Sequence, residues 1–389
     1  MKILYITDFY YVSSSGAKTS AIAHLNTLRN LYGEGNVDVI ALVGKDIPNN
    51  PEKNHIVVQG SKNKVILMIE CLRGYSTYLN YKGMCKILSI INKKKYDAVF
   101  IDNSIYGQLI KKIKILFPEL LVLSYYHDVK AKLATDWLNK ASFYRKPVYQ
   151  AMLNNEKLTS KWADVNLVLS DREERLYRLA YGKKPEAQLS VYMDIPLADN
   201  YFKRKNKKRK RLLFFGGYYI PNVNGINWFV DNVLNKIDDE IELLIAGREM
   251  DRLNEKSYPS NVKIEGFVEK IDDVYKDADI IVSPIFEGGG MKVKVAEAIA
   301  YGKIVIGSDE SYEGYQEKIP DIYWNKFFYR ANSAEEFVDK INIALNSDPN
   351  MLHFNREIRD VYEENFSEQY AEKQISRVID KYLNKGENK

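Results

Sequence analysis

The sequence predicts an α/β protein built from two Rossmann-like domains, and three observations predict it. Short apolar runs alternate with stretches of helical spacing, the alternation breaks at a basic run and restarts at Leu212, and the second half holds a strand, glycine-loop, helix, strand unit from Ser283 to Asp309 (SPIFEGGGMKVKVAEAIAYGKIVIGSD). At 389 residues the chain also exceeds the usual size of one hydrophobic core. The expected boundaries are an N-terminal domain at 1–200, a linker at 201–211, a second domain at 212–366, and a closing helix and tail at 367–389.

Composition removes several classes. With 46% hydrophobic and 28% charged residues the chain can bury large cores, so disorder is not indicated. Two cysteines, Cys71 and Cys85, with no CxxC pair suggest neither a disulfide framework nor a zinc cluster, which fits a reducing cytosol. The start, MKILYITDFYY, reads as a first strand because Asp8 follows the apolar run at once and no small-residue cleavage site appears. No run approaches the roughly eighteen apolar residues that span a bilayer. The net charge of +5 permits an anionic partner without identifying one. A cytoplasmic protein is expected, peripheral at the inner membrane face if the basic run meets lipid.

In chain order, Lys2 to Thr7 reads as a buried strand, and Ala21, Ile22, Leu25, Leu28 and Leu31 then recur at helical spacing. The intervening loop SSSGAK is a strand-to-helix turn, so Gly16 and its neighbouring amides read either as an anion-facing turn or as a serine-capped helix start. Val37 to Val43, His55 to Gln59, Tyr96 to Asp102 and Leu120 to Tyr126 read as further strands, with helices such as Gly83 to Asn92 between them. Leu120 to Tyr126 ends in His127-Asp128, which puts a histidine and an aspartate at the strand edge where ligands of open α/β sheets bind. Lys130 to Asp164 reads as mainly helical, Val165 to Ser170 and Leu189 to Tyr192 as strands, and DREERLYRLAYG as a helix.

Lys203 to Arg211 (KRKNKKRKR) is the clearest linker signal. It reads as a solvated connector or as a contact for anionic lipid headgroups, a peripheral membrane contact. Nucleic acid is not expected, since no recognition motif or stacking platform accompanies it. Beyond it the pattern gives strand LLFFGG, helix Asn224 to Leu234, strands Ile241 to Gly247 and Val262 to Phe267, helix Asp272 to Tyr275, and then the glycine unit. A helix begins at Ser333 and the last runs from about Ser367 to Leu383.

Three glycines, Gly288 to Gly290, let backbone amides approach a ligand, and the helix that follows aims its positive dipole end at the same place. The expected guest is a phosphate. Met291, Lys294, Glu297, Ala298 and Tyr301 fall near one side at helical spacing, so a cation for phosphate and a carboxylate for ribose hydroxyls share a face.

Three segments of the second half carry a resemblance: Phe214 to Val230, Asn261 to Ile285, and Gly288 to Asp309. They resemble the GT-B glycosyltransferases, specifically the large family 4 of bacterial surface-polysaccharide clusters. SSSGAK, YHDVK (Tyr126 to Lys130) and ADVNLVLSDRE (Ala163 to Glu173) match more loosely. The resemblance implies a GT-B fold, with two Rossmann-like domains facing each other across a cleft and a nucleotide sugar held mostly by the second. It gives Glu297 to the ribose, Lys294 and the amides of Gly289, Gly290, Met291 and Lys292 to the diphosphate and sugar, and the backbone of Phe267 and Val268 to the nucleobase. His127 it sets near the transferred sugar, where Asp128 orients the imidazole or caps the following helix. Arg248 is a further phosphate candidate.

Two departures stand out. Nine residues separate Glu287 from Glu297 where the family pattern has seven, so Glu287 is a donor-site candidate by position, and the spacing does not assign it the usual sugar-binding role. The family's basic residue after the first C-terminal strand is replaced by Tyr218 to Asn224.

The expected activity is transfer of a hexose from a UDP-sugar to a hydroxyl of a glycan or lipid-linked acceptor, retaining by family, without metal or other cofactor. Alternatives are a sugar-nucleotide epimerase of the same fold, a non-catalytic partner subunit, and an anionic-surface binder.

Overall fold

The computed structural model of the chain describes all residues except 13–15, 45–50, 53, 62, 132–136, 140–141, 199–200, 202–208, 256 and 384–389. Part of the SSSGAK loop, most of the basic run and the C-terminal tail therefore lie outside the described residues. The chain divides into two compact units, Met1–Ser190 with Ala371–Lys389, and Val191–Tyr370. Relative to the expected boundaries, the division falls at 190/191 and the last helix returns to the first unit from Ala371.

The first unit is a seven-stranded parallel sheet of β1 (Ile3–Thr7), β2 (Val37–Val43), β3 (His55–Gln59), β4 (Ala98–Ile101), β5 (Leu121–Tyr126), β6 (Val165–Val168) and β7 (Ala187–Gln188), in the order β3-β2-β1-β4-β5-β6-β7. Every residue of β1, β4, β5 and β6 is buried, as expected where helices cover both faces of a parallel sheet. The strands give Leu4, Ile6, Ile40, Val99 and Ile101 to a core completed by Ile87, Ile91, Leu109 and Ile113 from the helices Tyr81–Lys94 and Gly107–Leu116. Gly107 is required by close helix contact, since a Cβ there would lie 2.0 Å from the Asn155 carbonyl oxygen in helix Lys146–Trp162.

The second unit is a six-stranded sheet of β8 (Arg211–Phe215), β9 (Glu242–Ala246), β10 (Val262–Glu265), β11 (Ile280–Ser283), β12 (Ile304–Gly307) and β13 (Phe328–Arg330), in the order β10-β9-β8-β11-β12-β13, every pair parallel. Its helix Ala334–Leu345 starts on a capping box, with the Ser333 hydroxyl accepting from the Glu336 amide and the Glu336 carboxylate accepting from the Ser333 amide, a device worth about 1 kcal/mol.

Several sequence expectations shift. Leu189 to Tyr192 is not a strand: the chain leaves the ladder after the bond from the Leu189 amide to the Val168 carbonyl, and the paired residues are Ala187 and Gln188. Arg211, expected as the last linker residue, opens β8, with its guanidinium 2.6 Å from Glu242 on the neighbouring strand. Ile220–Asn232 begins four residues before the expected helix start because Pro221 is favourable in a first helical turn. Helices Lys64–Leu72 and Arg356–Asn365, and strand β13, had no counterpart in the sequence reading. No helix among the described residues is long and apolar enough to cross a membrane.

Strand order also places the sites. Each sheet reverses direction of growth once, between β1 and β4 in the first unit and between β8 and β11 in the second. At such a switch point the loops leave the carboxyl edge in opposite directions and open a crevice. The glycine unit follows β11, and Asp8 and Asp102 follow β1 and β4.

Candidate functional site

In the second unit, the segment after β11 runs Pro284 to Lys292 before helix Val293–Ala300 begins. Gly288 (φ 131°) and Gly290 (φ 64°) adopt backbone that side chains disfavour, and Gly288 and Gly289 are exposed. The helix starts one residue after Lys292, so Met291 and Lys292 precede it, which corrects the expected helical face. Met291 is buried, and the Lys292 ammonium turns back on the loop, 2.7 Å from Glu310 and 3.0 Å from the Gly290 carbonyl.

Lys294 occupies the switch point. Its ammonium donates to Asn222 Oδ1 at 2.7 Å and sits 4.1 Å from the centre of the Phe214 ring at the end of β8. Gly216 makes room for it, since a Cβ there would lie 3.2 Å from Nζ. Burial pushes the Lys294 ammonium down to about 7, against the opposing pull of Glu297. Glu297 lies one turn on, its carboxyl raised to about 6 chiefly by burial although its side chain keeps partial exposure. The Tyr275 hydroxyl donates to Glu297 Oε2 at 3.1 Å, and Tyr275 stacks on Tyr301 with ring centres 4.4 Å apart. Tyr301 in turn donates to Asp272. The aromatic pair therefore fixes the carboxylate from behind.

The neighbouring loops are less engaged. Gly247 (φ 132°) follows β9, and a Cβ there would lie 2.2 Å from the Gly216 carbonyl oxygen, so the turns after β8 and β9 touch. Arg248 pairs with adjacent Glu249 at 3.3 Å rather than with the glycine loop. Phe267 is 81% exposed just past β10, with Val268 half-buried beside it, so the Phe267 ring is available to a ligand rather than part of the core. Glu287 is exposed and accepts from Asn224 Nδ2 at 2.9 Å, a surface bond between loop and helix.

In the first unit the organising residue is Asp102, which sequence reasoning did not select. Fully buried at the end of β4, it accepts from Tyr5 at 2.9 Å, Thr7 at 3.1 Å and His24 Nδ1 at 2.8 Å, and lies 3.2 Å from His127 Nε2. Burial pushes its carboxyl up, but His127 and His24 outweigh that and hold it well below the usual carboxylate range. Across the switch point, Asp8 receives the Asn103 amide at 3.1 Å, and burial raises its carboxyl to about 6. The available signal was an acidic residue at the carboxyl end of a buried strand in each case.

His127 packs edge-on against Phe9 and Tyr125. Two buried carboxylates hold the backbone after it: Glu173 accepts from the Val129 amide at 2.6 Å, and Glu156 accepts from the Lys130 and Ala131 amides, both at 2.9 Å. Asp128 pairs with Lys130 and not with the imidazole, so the orienting role expected of it belongs to Asp102. Gly16 opens helix Gly16–Tyr32 and is exposed.

Two parallel α/β units, each with polar groups gathered at its switch point, define a protein of the GT-B architecture. Residues 209–347 match the family described as Glycosyl transferases group 1. That domain in this fold makes the chain a glycosyltransferase. It is 23% identical over 304 residues to an uncharacterized glycosyltransferase of Methanocaldococcus jannaschii, covering 73% of this chain and 74% of the other. Among solved structures it resembles Anabaena HepE in complex with UDP and glucose (TM-score 0.66, 12% identity, 97% of this chain and 99% of that one). It also resembles WaaG, a glycosyltransferase involved in lipopolysaccharide biosynthesis (TM-score 0.66, 16% identity, 97% and 98% covered).

Proposed function

We propose that the chain transfers a hexose from a UDP-sugar to a hydroxyl of a glycan or lipid-linked acceptor, with retention of anomeric configuration, in surface polysaccharide or glycoconjugate synthesis at the cytoplasmic face of the cell. The observation that carries the donor reading is the pairing of Lys294 and Glu297 on one helix face beside the glycine loop. The structure of HepE with UDP and glucose supports the uridine nucleotide. The relation of WaaG to lipopolysaccharide supports the type of pathway.

In this reading the loop amides and the Lys294 ammonium meet the diphosphate. As the glycosidic bond breaks, the leaving diphosphate gains negative charge, and a fixed cation shielded from water stabilises that charge more than bulk solvent would. No divalent metal is assigned to this step. Glu297, backed by Tyr275, accepts from the ribose hydroxyls. His127, held through Nε2 by Asp102, presents its other ring nitrogen to the transferred sugar.

The test is a panel of nucleotide sugars, each with and without EDTA, scored by nucleotide release and by donor-dependent thermal stabilisation. UDP-hexoses should stabilise the protein and turn over only with an acceptor, unaffected by EDTA. If no nucleotide sugar binds, the donor reading fails, and conversion of one nucleotide sugar into another without acceptor and without net nucleotide release would point to an epimerase instead.

A further inference from the structure

Lys294 is a buried cation whose closest polar partner carries no charge. Its ammonium donates to Asn222 Oδ1 at 2.7 Å, and among the described residues it forms no salt bridge, although the residue is only 7% exposed. The other end of that amide is fixed as well, since Asn222 Nδ2 donates to the Gly217 carbonyl at 2.8 Å and so leaves the oxygen facing the ammonium. Gly216 lets both groups approach: a Cβ there would lie 3.0 Å from Asn222 Nδ2 and 3.2 Å from Lys294 Nζ. Asn222 lies in the first turn of helix Ile220–Asn232, which holds no acidic residue. The helix dipole favours an acid at such a place, and an aspartate would also pair with Lys294. The chain has the uncharged amide of the same size instead, and no Asp, Glu, Lys, Arg or His occurs from Phe214 to Val230.

We propose that Asn222 is a positioning residue of the donor site, aiming the Lys294 ammonium while leaving its charge for the donor's diphosphate. This rests on the donor reading above. An ammonium has three donor hydrogens, and the Asn222 oxygen takes one. A carboxylate in its place would compete with the diphosphate for the cation, most strongly where burial weakens solvent screening. The Phe214 ring, 4.1 Å from Nζ, attracts the cation without offering a counter-ion that must be displaced. Few charged groups act on Lys294. Glu297 on its own helix favours the charged form, Lys292 before that helix opposes it, and burial opposes it most. On the loop after β9, Arg248 and Glu249 pair with each other.

The full chain is titrated with UDP by calorimetry near pH 7 in two buffers of different ionisation enthalpy, which yields affinity and proton uptake together. Asn222→Asp adds a charge at constant size. It should weaken UDP about tenfold or more and suppress the uptake, because a paired Lys294 is already charged. Asn222→Ala should weaken UDP about tenfold but keep or enlarge the uptake, since an ammonium without its acceptor holds its proton less well. Both variants should bind uridine as wild type does. In a Lys294→Met background Asn222→Ala should cost nothing further, the non-additivity of a residue that acts through another. Thermal unfolding without ligand checks that the variants fold, and Asn222→Ser is the second truncation should Asn222→Ala fail that check. Unchanged UDP affinity in the truncated variant, unchanged proton uptake in Asn222→Asp, or losses that add to that of Lys294→Met each overturn the proposal. If wild type itself binds no UDP, the donor reading falls and this role with it; if wild type binds and the variants match it, only the role of Asn222 falls.

Discussion

Asp102 holds His127: its Oδ1 lies 3.2 Å from the imidazole Nε2 while the same oxygen accepts from His24 Nδ1 at 2.8 Å. One buried carboxylate thus orients two histidines from different elements. Replacing it by asparagine removes the charge and keeps the size. Asp102→Asn should lower kcat by about 10- to 100-fold, the range of a hydrogen bond to a charged group, while UDP affinity stays unchanged. Steady-state kinetics beside a UDP titration separate the two, and an unchanged kcat would remove His127 from the reaction. Because the folded-state carboxyl is held low, its stabilisation is full above the unfolded carboxylate value of about 4 and is lost as pH falls further. Wild type should therefore exceed the variant in stability at pH 7, and the gap should narrow in acid.

Lys294 predicts a pH-dependent donor affinity. With its ammonium near 7, a sizeable fraction is neutral at neutral pH, and a bound diphosphate favours the charged form. UDP binding should take up protons near pH 7 and weaken as pH rises. Titration calorimetry in two buffers of different ionisation enthalpy measures the uptake. Lys294→Met should abolish the uptake and cost about tenfold or more in UDP affinity while affecting uridine little.

Glu297 should read the ribose. Glu297→Gln should weaken UDP roughly tenfold but leave 2′,3′-dideoxy-UDP unaffected, since the analogue lacks the hydroxyls that the carboxylate accepts. Equal losses for both ligands would assign Glu297 a structural role behind Tyr275.

Two glycines separate backbone need from ligand need. Gly247→Ala meets the Gly216 carbonyl oxygen at 2.2 Å and a φ of 132°, so it should destabilise the protein by about 2 kcal/mol or more in urea unfolding. Gly289→Ala meets nothing within 4 Å. It should leave stability unchanged, and any loss of UDP affinity would then report a ligand lying against that loop.

Much of the fold was legible because buried parallel strands write continuous apolar runs. β2 and β3 have the bounds that the sequence suggested, and the glycine unit reads from strand to strand. What was missed follows from the same physics. Helix Lys64–Leu72 is apolar on its exposed side, so its pattern does not mark a buried face. β13 is three residues long, too short for any period to register.

The site divides along the same line. Lys294 and Glu297 were visible because they lie three apart on one helix, and local spacing fixes which groups share a helix face. Asp102, by contrast, meets His24 and His127 across 78 and 25 positions of sequence. Periodicity carries no information about such separations. Sequence alone determined two α/β units and a glycine loop followed by a cation and a carboxylate. Strand order, decided only when the sheets assemble, sets β4 between β1 and β5 and brings β8 beside β11. That adjacency gathers Asp102 with His127 and seats Lys294 over Phe214 against Asn222, and burial at those points then sets the charges the proposed chemistry would use.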